Sequence, residues 1–84
     1  MTPPPGLVHL LRNTPVRELI RALERDGFSF RRGRGSGEVY RHLYGRRVVV
    51  HYHASSETLP PGTLRSVLSG ARWTQEDASR LGLI

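Results

Sequence analysis

The sequence predicts an α+β domain: one three-stranded antiparallel sheet, covered by helices on one face and open on the other. Three observations predict it. Apolar residues recur at helical spacing between Val16 and Leu23, and again between Leu64 and Ile84. Between them, Phe28 to His53 carries short runs that alternate apolar and polar around glycine-containing connections. The link inside Glu38–His53 is too short for a crossover, so those strands pair antiparallel, and helices that precede and follow the strands gather on one face. The chain has 84 residues and makes a single domain, burying roughly 60–65% of its unfolded surface.

Met1–Gly6 is proline-rich and cannot be helical. Leu7–Leu11 is short and apolar, fit to pack as a turn against the body or to meet a partner. Residues 1–13 thus form an N-terminal extension, and 14–84 the domain. Thr14 is an N-cap residue and Pro15 suits the first helical position, so the first helix spans Pro15–Asp26 and stops at Gly27. Phe28-Ser29-Phe30 begins the first strand. The second strand is Glu38–His42 and the third Arg46–His53. Pro60-Pro61 precedes a helix with Leu64, Val67 and Leu68 inward, closing near Gly70. Thr74, with Asp77 three residues on, caps a last short helix, and Trp73 wedges between the two.

The formal charge is +6, and every cation is arginine. A GC-rich genome explains the missing lysines but not the net charge. Guanidinium groups grip phosphates bidentately and stack on bases, which favours a nucleic acid or an acidic protein as partner. There is no cysteine, hence no disulfide framework or thiolate metal site. No apolar run is long enough to span a membrane and no signal peptide is evident, so a cytoplasmic protein is expected.

Arginine and histidine concentrate in Arg31–His53. The glycines of Arg31–Gly37 let a phosphate or another backbone approach, or make a plain turn. Two hairpin registers are open. A three-residue Leu43-Tyr44-Gly45 loop with Gly45 left-handed puts Tyr40, Val48, Val50 and Tyr52 on one face. Gly37, Val39, Arg41, Arg47, Val49, His51 and His53 then share the other. A two-residue loop would instead group His42 with Tyr40, Arg47, Val49, His51 and His53. The first is preferred because it yields one apolar and one basic face. His51 and His53 alone make a weak metal signal, with no third ligand at convincing spacing. Glu38 either orients an imidazole or is an ordinary surface carboxylate, and His9 has no evident role.

The segments RELIRALERDGFSF, GSGEVYRH, RRVVVHYH and LPPGTLRSVLSGARWTQED resemble HicA, the small mRNA-interferase toxin of HicA–HicB toxin–antitoxin pairs. The likeness covers about Pro15 to Asp77. It implies a fold like the double-stranded-RNA-binding domain and a cofactor-free, metal-independent endoribonuclease. The implied partners are mRNA and a HicB-like antitoxin with an acidic surface. In that family the glycine-rich turn ends in the catalytic histidine; here Gly37 stands in its place. His53 matches a strand-end histidine of the family, whereas His51 stands where the family often has proline.

Metal-free RNA cleavage needs a base for the ribose 2′-OH, an acid for the 5′-oxygen and cations for the phosphorane. Gly37 supplies none of these. Three accounts stay open. His51 or His53 substitutes for the missing imidazole, with His42 a candidate only in the second register. Alternatively the chain is a disabled toxin that still binds RNA and antitoxin, or its basic face serves only a protein partner. RNA contacts are assigned to Arg31, Arg32, Arg34, Arg41 and Arg47, and by analogy to Arg65. A DNA-binding module is the alternative from another class, but no helix-turn-helix pairing is evident.

Overall fold

Val16, Leu19, Ala22 and Leu23 recur at helical spacing and are fully buried, while Arg17, Arg21, Glu24 and Arg25 face solvent. That stripe makes α2 (Val16–Arg25), the helix following α1 (Leu7–Leu11). Next come β1 (Ser29–Arg31), β2 (Gly37–Arg41), a 3₁₀ turn (Leu43–Gly45) and β3 (Arg47–His51). Two helices end the chain, α3 (Pro61–Ala71) and α4 (Gln75–Arg80). The computed structural model describes residues 3–4, 6–31 and 37–84.

The sheet is antiparallel in the order β1-β2-β3. Tyr40, Val48 and Val50 are buried on its helical side, with Leu64, Val67, Leu68, Ala71 and Trp73 from the second half of the chain in the same core. This is the expected α+β arrangement, consistent with a fold like the double-stranded-RNA-binding domain. Each fully buried leucine or valine contributes about 1.5–3 kcal/mol, so the shared core outweighs any local preference.

Several boundaries differ from expectation. Pro15, rather than Thr14, is the N-cap of α2, and no side chain caps it. The Val16 and Arg17 N–H groups instead donate to the carbonyls of Glu57 and Ser55, both at 2.9 Å. A loop some forty residues away thus supplies the cap. β3 ends at His51, two residues early, opposite Gly37, the first residue of β2; beyond it the His53 N–H donates to the Glu57 carboxylate. Leu7–Leu11 is helical; Leu7 and Leu11 are fully buried in the common core. At α4 the Thr74–Asp77 capping box forms as expected.

Asp26, at the C-terminus of α2, ties these parts together. Its carboxylate accepts from the Trp73 indole at 2.9 Å, from Arg80 at 2.9 Å and from Arg46 at 2.5 Å. Burial opposes its charge, but the Trp73 N–H and the two guanidinium groups outweigh that and hold its pKa below the ordinary 3.8. Arg46 also donates to the Ala71 carbonyl and lies over the Phe28 ring, 4.8 Å from its centroid. One carboxylate therefore joins α2, the β2–β3 turn, the end of α3 and α4.

Candidate catalytic and nucleic-acid face

The alternation of β2 and β3 builds this face. Gly37 pairs with His51, Val39 with Val49, and Arg41 with Arg47. This is the register of the three-residue loop, in which Gly45 has φ 76°. Paired residues share a face, so Arg41 and Arg47 stand side by side on the open side of the sheet. β1 adds Ser29 opposite Arg41 and Arg31 opposite Val39. Like charges directly opposite are destabilising, and among the described residues neither Arg41, Arg47 nor Arg31 has an ion-pair partner. A polyanion would relieve that repulsion.

At the other end of the face, the His51 imidazole lies across Gly37. A Cβ on Gly37 would stand 2.7 Å from His51 Cε1, 3.1 Å from Nδ1 and 3.3 Å from Nε2. Gly37 is buried beneath the ring, whereas His51 is exposed. The absence of a side chain at 37 is what lets an imidazole from the neighbouring strand fill the place where one would begin. His51 and His53 both border a cleft of about 300 Å³ that continues past Thr58 to Thr63, at the start of α3.

Glu38, Tyr40 and Tyr52 steady this end from below. One Glu38 carboxylate oxygen accepts from the Tyr40 hydroxyl at 3.1 Å and from the Tyr52 hydroxyl at 2.8 Å. Glu38 thus orients two phenols, not an imidazole. Burial, then the Glu38 charge, pushes the Tyr40 pKa well above its ordinary value; the Glu38 hydrogen bond raises that of Tyr52. Both phenols remain protonated donors and are unsuited to act as bases. Tyr52 is anchored between His51 and His53, which limits how far either can stray.

The remaining candidates lie elsewhere. His42 Nε2 is 2.6 Å from the Asp26 carbonyl, which can only accept, so Nε2 carries the proton. The ring packs edge-on to Phe28, over Gly27, and its Nδ1 is buried. It is a structural histidine at the end of α2, remote in role from His51. His9 contacts Arg12 on α1. Arg65 is exposed on α3, the helix on the opposite side of the sheet. Arg32 and Arg34, with Gly33, Gly35 and Ser36 of the glycine-rich turn, fall outside the described residues. Among the described residues no three His, Cys, Asp or Glu side chains converge as metal ligands. No described helix is long and apolar enough to cross a membrane.

Sequence reasoning missed the role of Asp26 and the division of labour between Arg46 and Arg47. One signal was available: a buried tryptophan requires an acceptor for its N–H, and Asp26 beside Gly27 offered one. Nothing local indicated that Arg46 would turn inward while Arg47 stayed out.

No curated protein matches the chain. Residues 16–73, well over half of its length, match the family model described as the HicA toxin of bacterial toxin–antitoxin systems, and they span every element from α2 to Trp73. With the fold, the preferred register and the family model in agreement, the chain belongs to the HicA toxin family.

Proposed function

We propose that this HicA-family chain is an RNA-cleaving toxin in which His51 performs the proton transfer that the histidine at position 37 performs elsewhere in the family. The observation that carries this is the His51 ring lying where a side chain on Gly37 would start, with both ring nitrogens within 3.3 Å of that point. In the proposed reaction His51 takes the proton of a ribose 2′-OH. The 2′-oxygen attacks the adjacent phosphorus, and the bond from phosphorus to the 5′-oxygen breaks. His53, on the same cleft, gives its proton to that leaving oxygen. The products are a 2′,3′-cyclic phosphate and a 5′-hydroxyl, and no external reactant is consumed. Arg31, Arg41 and Arg47 hold the phosphate chain across the open sheet. The substrate is mRNA, and a HicB-like antitoxin with an acidic surface blocks the reaction by covering these arginines.

The test is mRNA cleavage by the parent protein, His51→Ala, and the double variant Gly37→His/His51→Ala, which moves the imidazole to the family's usual strand. The parent and the double variant should cleave, with His51→Ala slower by about 10²–10⁴-fold. Undiminished cleavage by His51→Ala would sink the assignment. Binding without cleavage by all three proteins would leave a non-catalytic module that binds RNA or antitoxin.

A further inference from the structure

We infer that the β2–β3 tip is a stacking site for an unpaired nucleobase, with Tyr44 as the platform and Arg41 and Arg47 holding phosphates beside it. The inference rests on the RNA-binding reading above and adds to it a specific site and a preference for single strands. Tyr44 is 90% exposed and Leu43 beside it 70%. Among the described residues the Tyr44 ring has no aromatic partner and its hydroxyl no hydrogen bond. Its backbone is left-handed, at φ 63°, ψ 29°. Glycine, asparagine or aspartate adopts that conformation more readily, so turn chemistry does not account for a tyrosine here.

The surroundings indicate what the ring would meet. Arg41 and Arg47 flank the tip as a directly opposed pair. A cleft of about 270 Å³ opens between them and reaches Gly45 and Arg46. Arg46 is held by Asp26 and Ala71, which leaves Arg41 and Arg47 as the cations lining this cleft that have no ion-pair partner among the described residues. An exposed π-face in the turn that joins two such arginines, three residues from each, is the combination that binds single strands: bases stack on the ring while phosphates meet the charges. A duplex keeps its base faces within its own stack and gains only the electrostatic part. From Arg47 to His51 the strand runs about 14 Å. The base on Tyr44 therefore belongs to a nucleotide more than one step from the scissile one, and the tip anchors the strand at a distance from the chemistry.

The probe is a set of short single-stranded 2′-O-methyl oligoribonucleotides, which lack the free 2′-OH needed for cleavage, each with 2-aminopurine at a different position. Affinity and 2-aminopurine fluorescence are measured for the 84-residue parent, Tyr44→Ala, Tyr44→Trp and Tyr44→Asn, at several salt concentrations, with melting curves for each. The parent should quench one position strongly. Tyr44→Ala should bind about 5- to 150-fold more weakly, with an unchanged salt slope, while Tyr44→Trp retains affinity. Tyr44→Asn should bind as weakly as Tyr44→Ala yet melt no lower than the parent, which separates lost stacking from lost folding. If parent and Tyr44→Ala bind single strands equally, the tip is not a stacking site although the RNA reading stands. If that equality comes with weaker antitoxin binding by Tyr44→Ala, the tip belongs to a protein interface. Absence of RNA binding by every protein overturns both readings.

Discussion

Gly70 of α3 lies directly against the backbone carbonyl of Arg47 in β3, so closely that a Cβ on Gly70 would stand well inside van der Waals contact with that oxygen. This contact sets how near α3 comes to the strand whose other side carries Arg47. Elsewhere in a helix interior, replacing glycine by alanine stabilises by roughly 0.5–1 kcal/mol. Here the obstacle is backbone and cannot rotate away. Gly70→Ala should instead destabilise by about 1–3 kcal/mol, read as a lower midpoint in urea at unchanged m. A rise in stability would mean that α3 and β3 are not in this contact.

Gly37→Ala meets a different neighbour. Its Cβ would press on the end of the His51 side chain, which can swing aside. The fold should therefore survive, with stability within about 1 kcal/mol of the parent, since alanine suits a strand better than glycine. RNA cleavage should nevertheless fall, because the imidazole is displaced from the position that supports its role. Parent-level cleavage by Gly37→Ala would show that the ring's seat over Gly37 is irrelevant to activity.

Arg41 and Arg46 lie five positions apart and should behave oppositely. Arg41 is exposed on the open face without an ion-pair partner among the described residues, whereas Arg46 spends its hydrogen bonds on Asp26 and Ala71. Arg41→Ala should leave the melting temperature nearly unchanged while flattening the salt slope of log K for RNA by about 0.7–0.9. Arg46→Ala should lower stability by about 2–3 kcal/mol, through loss of charge-assisted hydrogen bonds and because the largely buried Asp26 carboxylate loses one of its two guanidinium partners. Titrations at several salt concentrations, paired with urea melts, check both.

Asp26 makes stability depend on pH at the acid end. Its folded pKa lies below the ordinary 3.8, so the unfolded chain binds a proton more readily than the folded one. Stability from this group is thus complete above its unfolded pKa and is lost as pH falls through the folded value. Asp77, opposed by its own burial but held below its ordinary value by the Thr74 N–H and Arg80, contributes in the same direction. Asp26→Asn should cost about 2–3 kcal/mol at neutral pH and give a shallower loss of stability between pH 5 and pH 2. Urea midpoints across that range decide it; an equally steep acid limb in the variant would remove Asp26 as its source.

The order of the elements from α2 onward, the buried stripe of α2, the capping box of α4 and the two faces of the hairpin were all legible, because each depends on residues within a few positions of one another; the helix at Leu7–Leu11 was not. A period near 3.6 or of 2 is written directly into the chain. The register followed from the same logic, since only one loop length separates Tyr40, Val48 and Val50 from Arg41, Arg47 and His51. The ends of elements were less legible: α2 begins where residues 55–57 can cap it, and β3 stops opposite Gly37, where β2 begins.

What the sequence by itself determined is therefore the architecture and the basic, histidine-bearing character of one sheet face. Only the tertiary structure decided which of these similar side chains are free to act. His42 is committed to the Asp26 carbonyl across 16 positions, and Arg46 to Asp26 across 20. His51 is left exposed over Gly37, with Arg41 and Arg47 side by side. The reason is physical: periodicity reports which way a side chain points, whereas its freedom depends on partners brought close only when distant segments bury a common core.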